Sequence, residues 1–220
     1  MAKTYHELLQ GYAKFQSDQL PIHQSNFENL VEHGQVPEVL FITCCDSRIE
    51  PALLLQSNPG DLFVIRNVAN IVPAYQPEAE SVVDSTIAAM QYAVVALKVK
   101  HIVIMGHSQC GGIASLLATN PAFEDTLLNV SQWMKNVDFN ALQSGIQSFD
   151  TLLPAEKALC CERLSVMQSV KNCQEYPWIK SAVASNALMI HGWHVDLKTG
   201  SIYYGDTNAK FHCLRQFNAA

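Results

Sequence analysis

The sequence predicts an α/β fold, in which a mostly parallel central β-sheet of about four parallel strands and one edge strand is flanked by helices. Short apolar runs such as 39–43 and 101–105 alternate with longer segments of helical periodicity, which is the pattern of a parallel sheet. A length of 220 residues with 49% hydrophobic content is sufficient for one sizeable core. The sequence contains no linker or internal repeat that would divide it, so we expect a single domain over 1–220.

The elements follow one another in a regular order. The first is a helix over about 3–18, with one apolar stripe formed by Tyr5, Leu8, Leu9 and Tyr12. It belongs to an N-terminal helical arm, 1–34, which we expect to pack on a partner subunit. Strands are predicted near 39–43, 62–65, 101–105 and 187–190, with the edge strand at 201–204. Further helices are predicted at about 81–98, 154–173 and 178–185, whereas the polar segment 121–150 gives no clear prediction.

The charge and the termini limit the classes of partner and compartment. A formal net charge of −6 and scattered Lys and Arg residues predict no binding to nucleic acid or to an anionic membrane. The first residues contain no apolar leader, and no run approaches the roughly 18 apolar residues of a membrane span. We therefore expect a cytoplasmic protein. In a reducing cytosol the expected state of five cysteines is a free, buried thiol: Cys45, Cys160, Cys161, Cys173 and Cys213.

Two short motifs carry the candidate chemistry. Cys44-Cys45-Asp46-Ser47-Arg48 and His107-Ser108-Gln109-Cys110-Gly111-Gly112 each follow an apolar strand-like run. The carboxyl ends of neighbouring strands lie only about 5 Å apart, and the crevice beyond them is the usual ligand site of an open α/β sheet. Two Cys and one His form the ligand set of a catalytic zinc site whose fourth position stays open. Cys44, His107 and Cys110 are therefore the predicted metal ligands.

These motifs, with Arg66-Asn67-Val68-Ala69-Asn70 between them, resemble those of the β-class carbonic anhydrases. The resemblance extends from about Gln35 to Asp206. It implies one Zn²⁺ per subunit and the reversible hydration of CO₂ to bicarbonate and a proton by metal-bound hydroxide. It also implies a homodimer or a homotetramer, because part of the family's substrate pocket comes from a second subunit.

Asp46 and Arg48 are the predicted catalytic residues. Strand alternation places Cys44, Asp46 and Arg48 on one face, and the guanidinium fork of an Arg can hold a carboxylate by two hydrogen bonds. The resemblance implies that Asp46 accepts a hydrogen bond from the metal-bound hydroxide while Arg48 holds it. In some family members this Asp instead becomes the fourth zinc ligand. The alternative that the sequence leaves open is a plain structural ion pair.

The remaining predicted site residues depend on the resemblance. It implies that Gln35 donates an amide N–H to the substrate oxygen, and that four further residues bind or line the substrate pocket: Phe63, Val68, Tyr92 and Gly111.

Bicarbonate regulation is predicted to be absent or altered. In the bicarbonate-regulated branch of the family, an Arg that matches Arg66 acts with a Trp and a Tyr, but these two fall at Phe41 and Val195 in this chain. The site is therefore expected to resemble the plant-like branch.

Other interpretations compete with this one. The same zinc site hydrolyses carbonyl sulfide or carbon disulfide in related enzymes. A near match to a nucleophile elbow would make Ser108 the nucleophile of an α/β-hydrolase, with Asp196 or Asp206 and His212. A third alternative is a non-catalytic, zinc-stabilised binding module closed by Asp46. Cys45 is interpreted as core filling, because successive side chains point to opposite faces. His191 and His194 have the spacing of a metal pair but are interpreted as structural.

Overall fold

A mixed sheet of six strands forms the centre of the protein in the computed structural model, which describes residues 3–79, 84–118, 126–146 and 148–214. The strands are β1 (Val39–Cys44), β2 (Leu62–Asn67), β3 (His101–His107), β4 (Met189–Asp196), β5 (Ser201–Gly205) and β6 (Phe211–Cys213). The α-helices in these ranges are α1 (Tyr5–Lys14), α2 (Leu20–His33), α3 (Pro51–Leu55), α4 (Ser85–Gln91), α5 (Gly111–Leu117), α6 (Leu128–Met134), α7 (Phe139–Ser144), α8 (Pro154–Glu175) and α9 (Pro177–Ala184).

The strand order is β2-β1-β3-β4-β5-β6. Strands β2, β1, β3 and β4 are parallel to one another. Strands β5 and β6 extend the sheet beyond β4, and each is antiparallel to the strand before it. The predicted α/β class, with four parallel strands and an edge strand, is confirmed. The short sixth strand was not predicted, because three residues do not establish a strand pattern.

The two central strands are buried on both faces. Leu40, Ile42 and Ile104 pack in one core cluster, whereas Phe41 and Met105, which alternate with them, pack in another. This explains why both strands have continuous apolar sequences. The carboxyl ends of β1 and β3 are thereby held in a close-packed framework.

Helix α8 lies unusually close to the sheet. A Cβ atom added at Gly106 would lie 2.6 Å from Cγ2 of Val166, and one at Gly192 would lie 3.0 Å from the sulfur of Met167. Only glycine permits this approach of the helix to β3 and β4. Side chains one turn before Val166 can therefore reach the end of the sheet where the metal ligands lie.

The helical arm extends further than the predicted helix over 3–18. After α1 a π-helical turn covers Phe15–Gln19, and α2 continues to His33. The N–H of Leu20 donates to the carbonyl of Phe15 across this wider turn. Pro21 is tolerated because it lies in the first turn of α2, where a missing N–H costs little. The predicted end of the helix, at about residue 18, was therefore too early.

The two halves of the arm differ in their contacts. In α2, the amide of Asn26 donates to the carbonyl of Pro59 (2.7 Å), and Leu30 packs against Gly60. The apolar stripe of α1 is open to solvent in this chain: its four members, Tyr5, Leu8, Leu9 and Tyr12, are 50–77% exposed.

The helix predicted over 81–98 begins at Ser85, where the Asp84 side chain accepts the N–H groups of Thr86 and Ile87. Residues 80–83 lie outside the described ranges. The segment 121–150, whose sequence pattern is ambiguous, contains α6 and α7. Among the described helices, none has the length and apolarity that a membrane crossing requires.

Candidate active site

The three predicted ligands lie together at the carboxyl end of the sheet. Cys44 ends β1, His107 ends the neighbouring parallel strand β3, and Cys110 immediately precedes α5. Their donor atoms all lie within 4.8 Å of one another, and all three residues are buried. The fold therefore assembles two sulfurs and one imidazole from distant parts of the sequence, as expected where the ends of parallel strands meet.

The hydrogen bonding of His107 prepares it as a ligand. Its Nδ1 lies 2.9 Å from the carbonyl oxygen of Ser108, and because a carbonyl can only accept, Nδ1 must carry the proton. Nε2 is then a lone-pair donor, and it is buried without a hydrogen-bond partner among the residues that the structure describes. A buried, unpartnered nitrogen beside two sulfurs is the environment of a metal-binding histidine. This donor set fits Zn²⁺.

The two thiols share one proton, which Cys110 keeps and Cys44 gives up. The pKa of Cys44 lies far below its ordinary value, chiefly because its thiolate accepts a hydrogen bond from the Cys110 thiol. The same contact raises the pKa of Cys110, which retains the shared proton. A divalent cation between the two sulfurs would displace that proton, since metals bind thiolates rather than thiols.

Asp46 is fixed beside the ligands by Arg48. Nε of Arg48 donates to Oδ1 of Asp46 at 2.9 Å, and Nη2 donates to Oδ2 at 2.7 Å. Arg48 also donates to the carbonyl of Gln109 at 3.0 Å, which ties it to the Cys110 loop. Oδ2 of Asp46 lies 3.9 Å from Nε2 of His107. The arrangement provides an ionised acceptor next to the metal donors, because Arg48 holds the pKa of Asp46 well below its usual range.

Arg66 holds the loop that follows Cys44. Its Nε donates to the carbonyl of Cys44 at 3.2 Å, and its Nη2 donates to those of Asp46 at 2.9 Å and Ile49 at 2.7 Å. Its Nη1 lies 3.5 Å from the Glu50 carboxylate. Arg66 thus fixes the backbone that presents both a metal ligand and Asp46.

Two of the predicted substrate residues lie near the ligands. Val68 packs against the core cluster that contains Cys44 and Cys110, and its Cγ1 lies 3.1 Å from the Cβ position of Gly112. Its carbonyl accepts the indole N–H of Trp133 at 2.8 Å. Gly111 is exposed at the start of α5, next to Cys110.

The other three are not brought to the ligands within one chain. Phe63 and Tyr92 contact each other, with ring centroids 5.9 Å apart, and Phe63 packs on the core cluster beneath β1 and β2 rather than the one that contains the cysteines. Tyr92 is 50% exposed. Gln35 is exposed between α2 and β1.

The interpretation of Cys45 as core filling was wrong. The chain leaves β1 after Cys44, where the N–H of Cys45 donates to the carbonyl of Asn67 at 2.9 Å, and the Cys45 side chain is exposed. Of the other four cysteines expected to be buried, Cys161 and Cys173 are buried, whereas Cys160 and Cys213 are half-buried. All are free thiols, as expected.

The contacts do not support the hydrolase alternative. Asp206 and His212 do pair at 2.9 Å, as the acid and base of a triad would, but the hydroxyl of Ser108 accepts the backbone N–H of Leu197 at 2.9 Å. Among the residues that the structure describes, Ser108 has no histidine side chain as a hydrogen-bond partner. The hydroxyl therefore lacks the base that a serine nucleophile requires.

Sequence reasoning missed a buried pair beside the site. Glu162 and His194 lie 3.1 Å apart, with 4% and 0% exposure. One signal was present in the sequence: Glu162 lies on the same helical stripe as Ser165, Val166 and Ser169, all of which are buried in α8. A charged residue on a buried stripe indicates a specific partner.

The comparisons with known proteins agree with this geometry. Residues 39–202 match the family described as carbonic anhydrase. A carbonic anhydrase of Synechocystis sp. is 35% identical over 195 residues, covering 89% of this chain and 69% of the relative. One from Pseudomonas aeruginosa is 34% identical over 196 residues, covering 89% and 85%. The solved structure of the β-carbonic anhydrase CcaA is 34% identical with a TM-score of 0.85, covering 94% of this chain and 91% of that one. The chain belongs to the β class of the carbonic anhydrase family.

Proposed function

We propose that this protein catalyses the reversible hydration of CO₂ to bicarbonate and a proton, at one Zn²⁺ per subunit held by Cys44, His107 and Cys110. The observation that carries the proposal is the unpartnered Nε2 of His107, which faces two thiols and lies 3.9 Å from the Asp46 carboxylate. A zinc ion with three protein ligands acidifies a water at its open position and so supplies a nucleophile near neutral pH.

Asp46 and Arg48 orient the reaction in this proposal. An ionised carboxylate can only accept hydrogen bonds, so Asp46 would accept a hydrogen bond from the attacking oxygen and orient an oxygen lone pair toward the carbon of CO₂. Arg48 keeps Asp46 ionised, and its two hydrogen bonds fix the carboxylate in one orientation. Val68 and Gly111, which lie near the ligands, are proposed to line the approach of CO₂, because an apolar lining suits an apolar substrate.

The experiment is stopped-flow CO₂ hydration with a pH indicator, on protein of measured zinc content, beside hydrolysis of carbonyl sulfide by the same sample. We expect rapid CO₂ hydration that increases toward alkaline pH, because two thiolates donate more charge to the metal than imidazoles do. Carbonyl sulfide should react much more slowly. Faster carbonyl sulfide hydrolysis would assign the site to sulfur substrates, and a zinc-loaded protein inert to both would indicate a non-catalytic module.

We also propose that the active unit is a homodimer or a homotetramer, in which a partner subunit completes the pocket with its copies of Gln35, Phe63 and Tyr92. The exposed apolar stripe of α1 supports this assembly, because a stripe of that kind is normally covered. A solved β-carbonic anhydrase from Sordaria macrospora, 32% identical with a TM-score of 0.73 and covering 91% of this chain and 95% of that one, is described as tetrameric.

Leu8→Glu is expected to shift the protein toward monomers and to reduce CO₂ hydration, because a charge would be buried where α1 meets its partner. Sedimentation velocity at micromolar concentration measures the assembly. Gln10→Glu is the matched control, since it adds the same charge on the opposite side of the exposed helix. A Leu8→Glu protein that sediments like Gln10→Glu and wild type would contradict the role of the arm.

Bicarbonate regulation through Arg66 is proposed to be absent. The Arg66 guanidinium is already engaged with three carbonyls and Glu50, and Phe41 and Val195, which replace the Trp and the Tyr of the regulated branch, offer no polar side-chain atom. We expect added bicarbonate to inhibit hydration only as a product, with hyperbolic dependence. Initial rates over a bicarbonate series would show this, whereas sigmoidal dependence that disappears in Arg66→Gln would overturn the proposal.

A cytoplasmic location is proposed as well. Binding of zinc through two thiolates requires reduced cysteines, and a reducing compartment maintains them. The seven free thiols are consistent with such a compartment.

A further inference from the structure

A buried acid–imidazole pair lies beneath the loop that carries Cys110. Oε2 of Glu162 lies 3.1 Å from Nε2 of His194. The other oxygen, Oε1, accepts the backbone N–H of Cys110 at 3.3 Å. One side chain therefore connects helix α8, strand β4 and the residue that supplies a metal-binding sulfur.

The placement follows from the packing of α8. Glu162 is one turn before Val166, which contacts Gly106, and His194 pairs with that same Gly106 across β3 and β4. Burying a carboxylate is costly unless its oxygens are hydrogen-bonded. Both oxygens of Glu162 have partners, so the charge is tolerated in this one arrangement.

His194 is oriented by the carboxylate. A carboxylate can only accept, so Nε2 of His194 carries the proton and donates it. Within the described ranges its Nδ1 is buried without a partner, so Glu162 is the polar contact that sets the ring. The ring edge also packs on Phe211, with centroids 6.4 Å apart.

The Cys110 loop requires such support because its backbone is strained. Gln109 has a φ of +58°, a left-handed conformation that costs a non-glycine residue free energy and persists only where surrounding contacts enforce it. Two contacts flank this residue: Arg48 holds the Gln109 carbonyl, and Glu162 holds the N–H of Cys110. Without the second, the loop would lose one of the two bonds that set the direction of the Cys110 side chain.

We propose that Glu162 and His194 are positioning residues for the metal site: Glu162 fixes the Cys110 backbone so that its Sγ faces Cys44 and His107, and His194 fixes Glu162. The inference rests on the proposed ligand set. It predicts that the pair acts on metal affinity rather than on stability alone.

The test is zinc affinity, measured by competition with a chromogenic chelator, together with the absorption spectrum of the Co²⁺-substituted protein. Glu162→Ala is expected to weaken zinc binding about 10- to 100-fold, as loss of an outer-shell partner typically does, and to alter the cobalt–thiolate bands. Glu162→Gln should recover most of the affinity, because its amide oxygen can still accept the Cys110 N–H. His194→Ala should give a smaller loss in the same direction.

Val170→Ala is the matched control. Val170 is buried on the same helix two turns further along, so its truncation reduces stability without touching the Cys110 loop. Zinc affinity in Glu162→Ala equal to that in Val170→Ala would overturn the inference. If Glu162→Ala does not fold, the zinc affinity of His194→Ala is compared with that of Val170→Ala instead, and equal affinities would overturn the inference. A wild-type protein that binds no zinc would instead refute the proposed function, which keeps the two failures distinguishable.

Discussion

Replacing Asp46 with alanine is expected to remove most CO₂ hydration while leaving zinc bound. Asp46 accepts from Arg48 through both carboxylate oxygens and lies 3.9 Å from Nε2 of His107, so its removal takes away an orienting acceptor and none of the three proposed metal ligands. Loss of the geometry that orients a reacting group can cost about 10²-fold in rate. Stopped-flow kcat and the zinc content of the same preparation measure the two effects separately.

Asp61→Asn is the control for this change, because Asp61 is an exposed carboxylate in a turn before β2, where it accepts the N–H of Asn58. It should retain wild-type activity and zinc.

The pKa of Asp46 is held well below its ordinary value by Arg48, so this carboxylate stays ionised throughout the neutral range. The increase in wild-type activity toward alkaline pH is therefore expected without any titration of Asp46. A near-normal kcat in Asp46→Ala would contradict the catalytic role and show that Asp46 and Arg48 form only a structural ion pair.

Replacing Cys44 with serine is expected to abolish both zinc binding and activity. Cys44 supplies one of the three donor atoms that lie within 4.8 Å of one another, and a serine hydroxyl is not ionised at neutral pH. Two remaining protein ligands are too few for a stable site of this type. Elemental analysis after dialysis against a chelator should show about one zinc per chain in wild type and almost none in the variant.

Cys45→Ser provides a control at the next position. Cys45 is exposed and its side chain lies outside the donor set, so the variant should keep its zinc and its rate. A Cys45→Ser protein that loses zinc, or a Cys44→Ser protein that retains it, would contradict the assignment of ligands.

The sequence predicts those parts of the fold in which several consecutive residues all indicate the same element. Strands β1 and β3 are buried on both faces, so nearly every residue in them is apolar and their position is clear. The ligands directly follow these strands, and parallel pairing brings strand ends together. The sequence alone is therefore sufficient to locate the candidate metal site.

Other features depend on contacts that a sequence pattern does not reveal. The helical arm continues through a π-helical turn, which allows Pro21 where a helix end would otherwise be expected. Cys45 is exposed because β1 ends at Cys44, so the alternation of a strand does not extend to the Cys45 side chain. The pairing of Glu162 with His194 and the Cys110 N–H joins positions far apart in sequence, and it depends on how closely α8 approaches two glycines.

X-ray absorption spectroscopy at the zinc edge, on the zinc-loaded full-length protein, tests the proposed ligand set most directly. We expect two sulfur neighbours at about 2.3 Å and two nitrogen or oxygen neighbours at about 2.0–2.1 Å, from Cys44, Cys110, His107 and one exchangeable position. Three or four sulfur neighbours would contradict this ligand set, because a further cysteine such as Cys45 would then have to enter the site. A first shell with no sulfur would also contradict it.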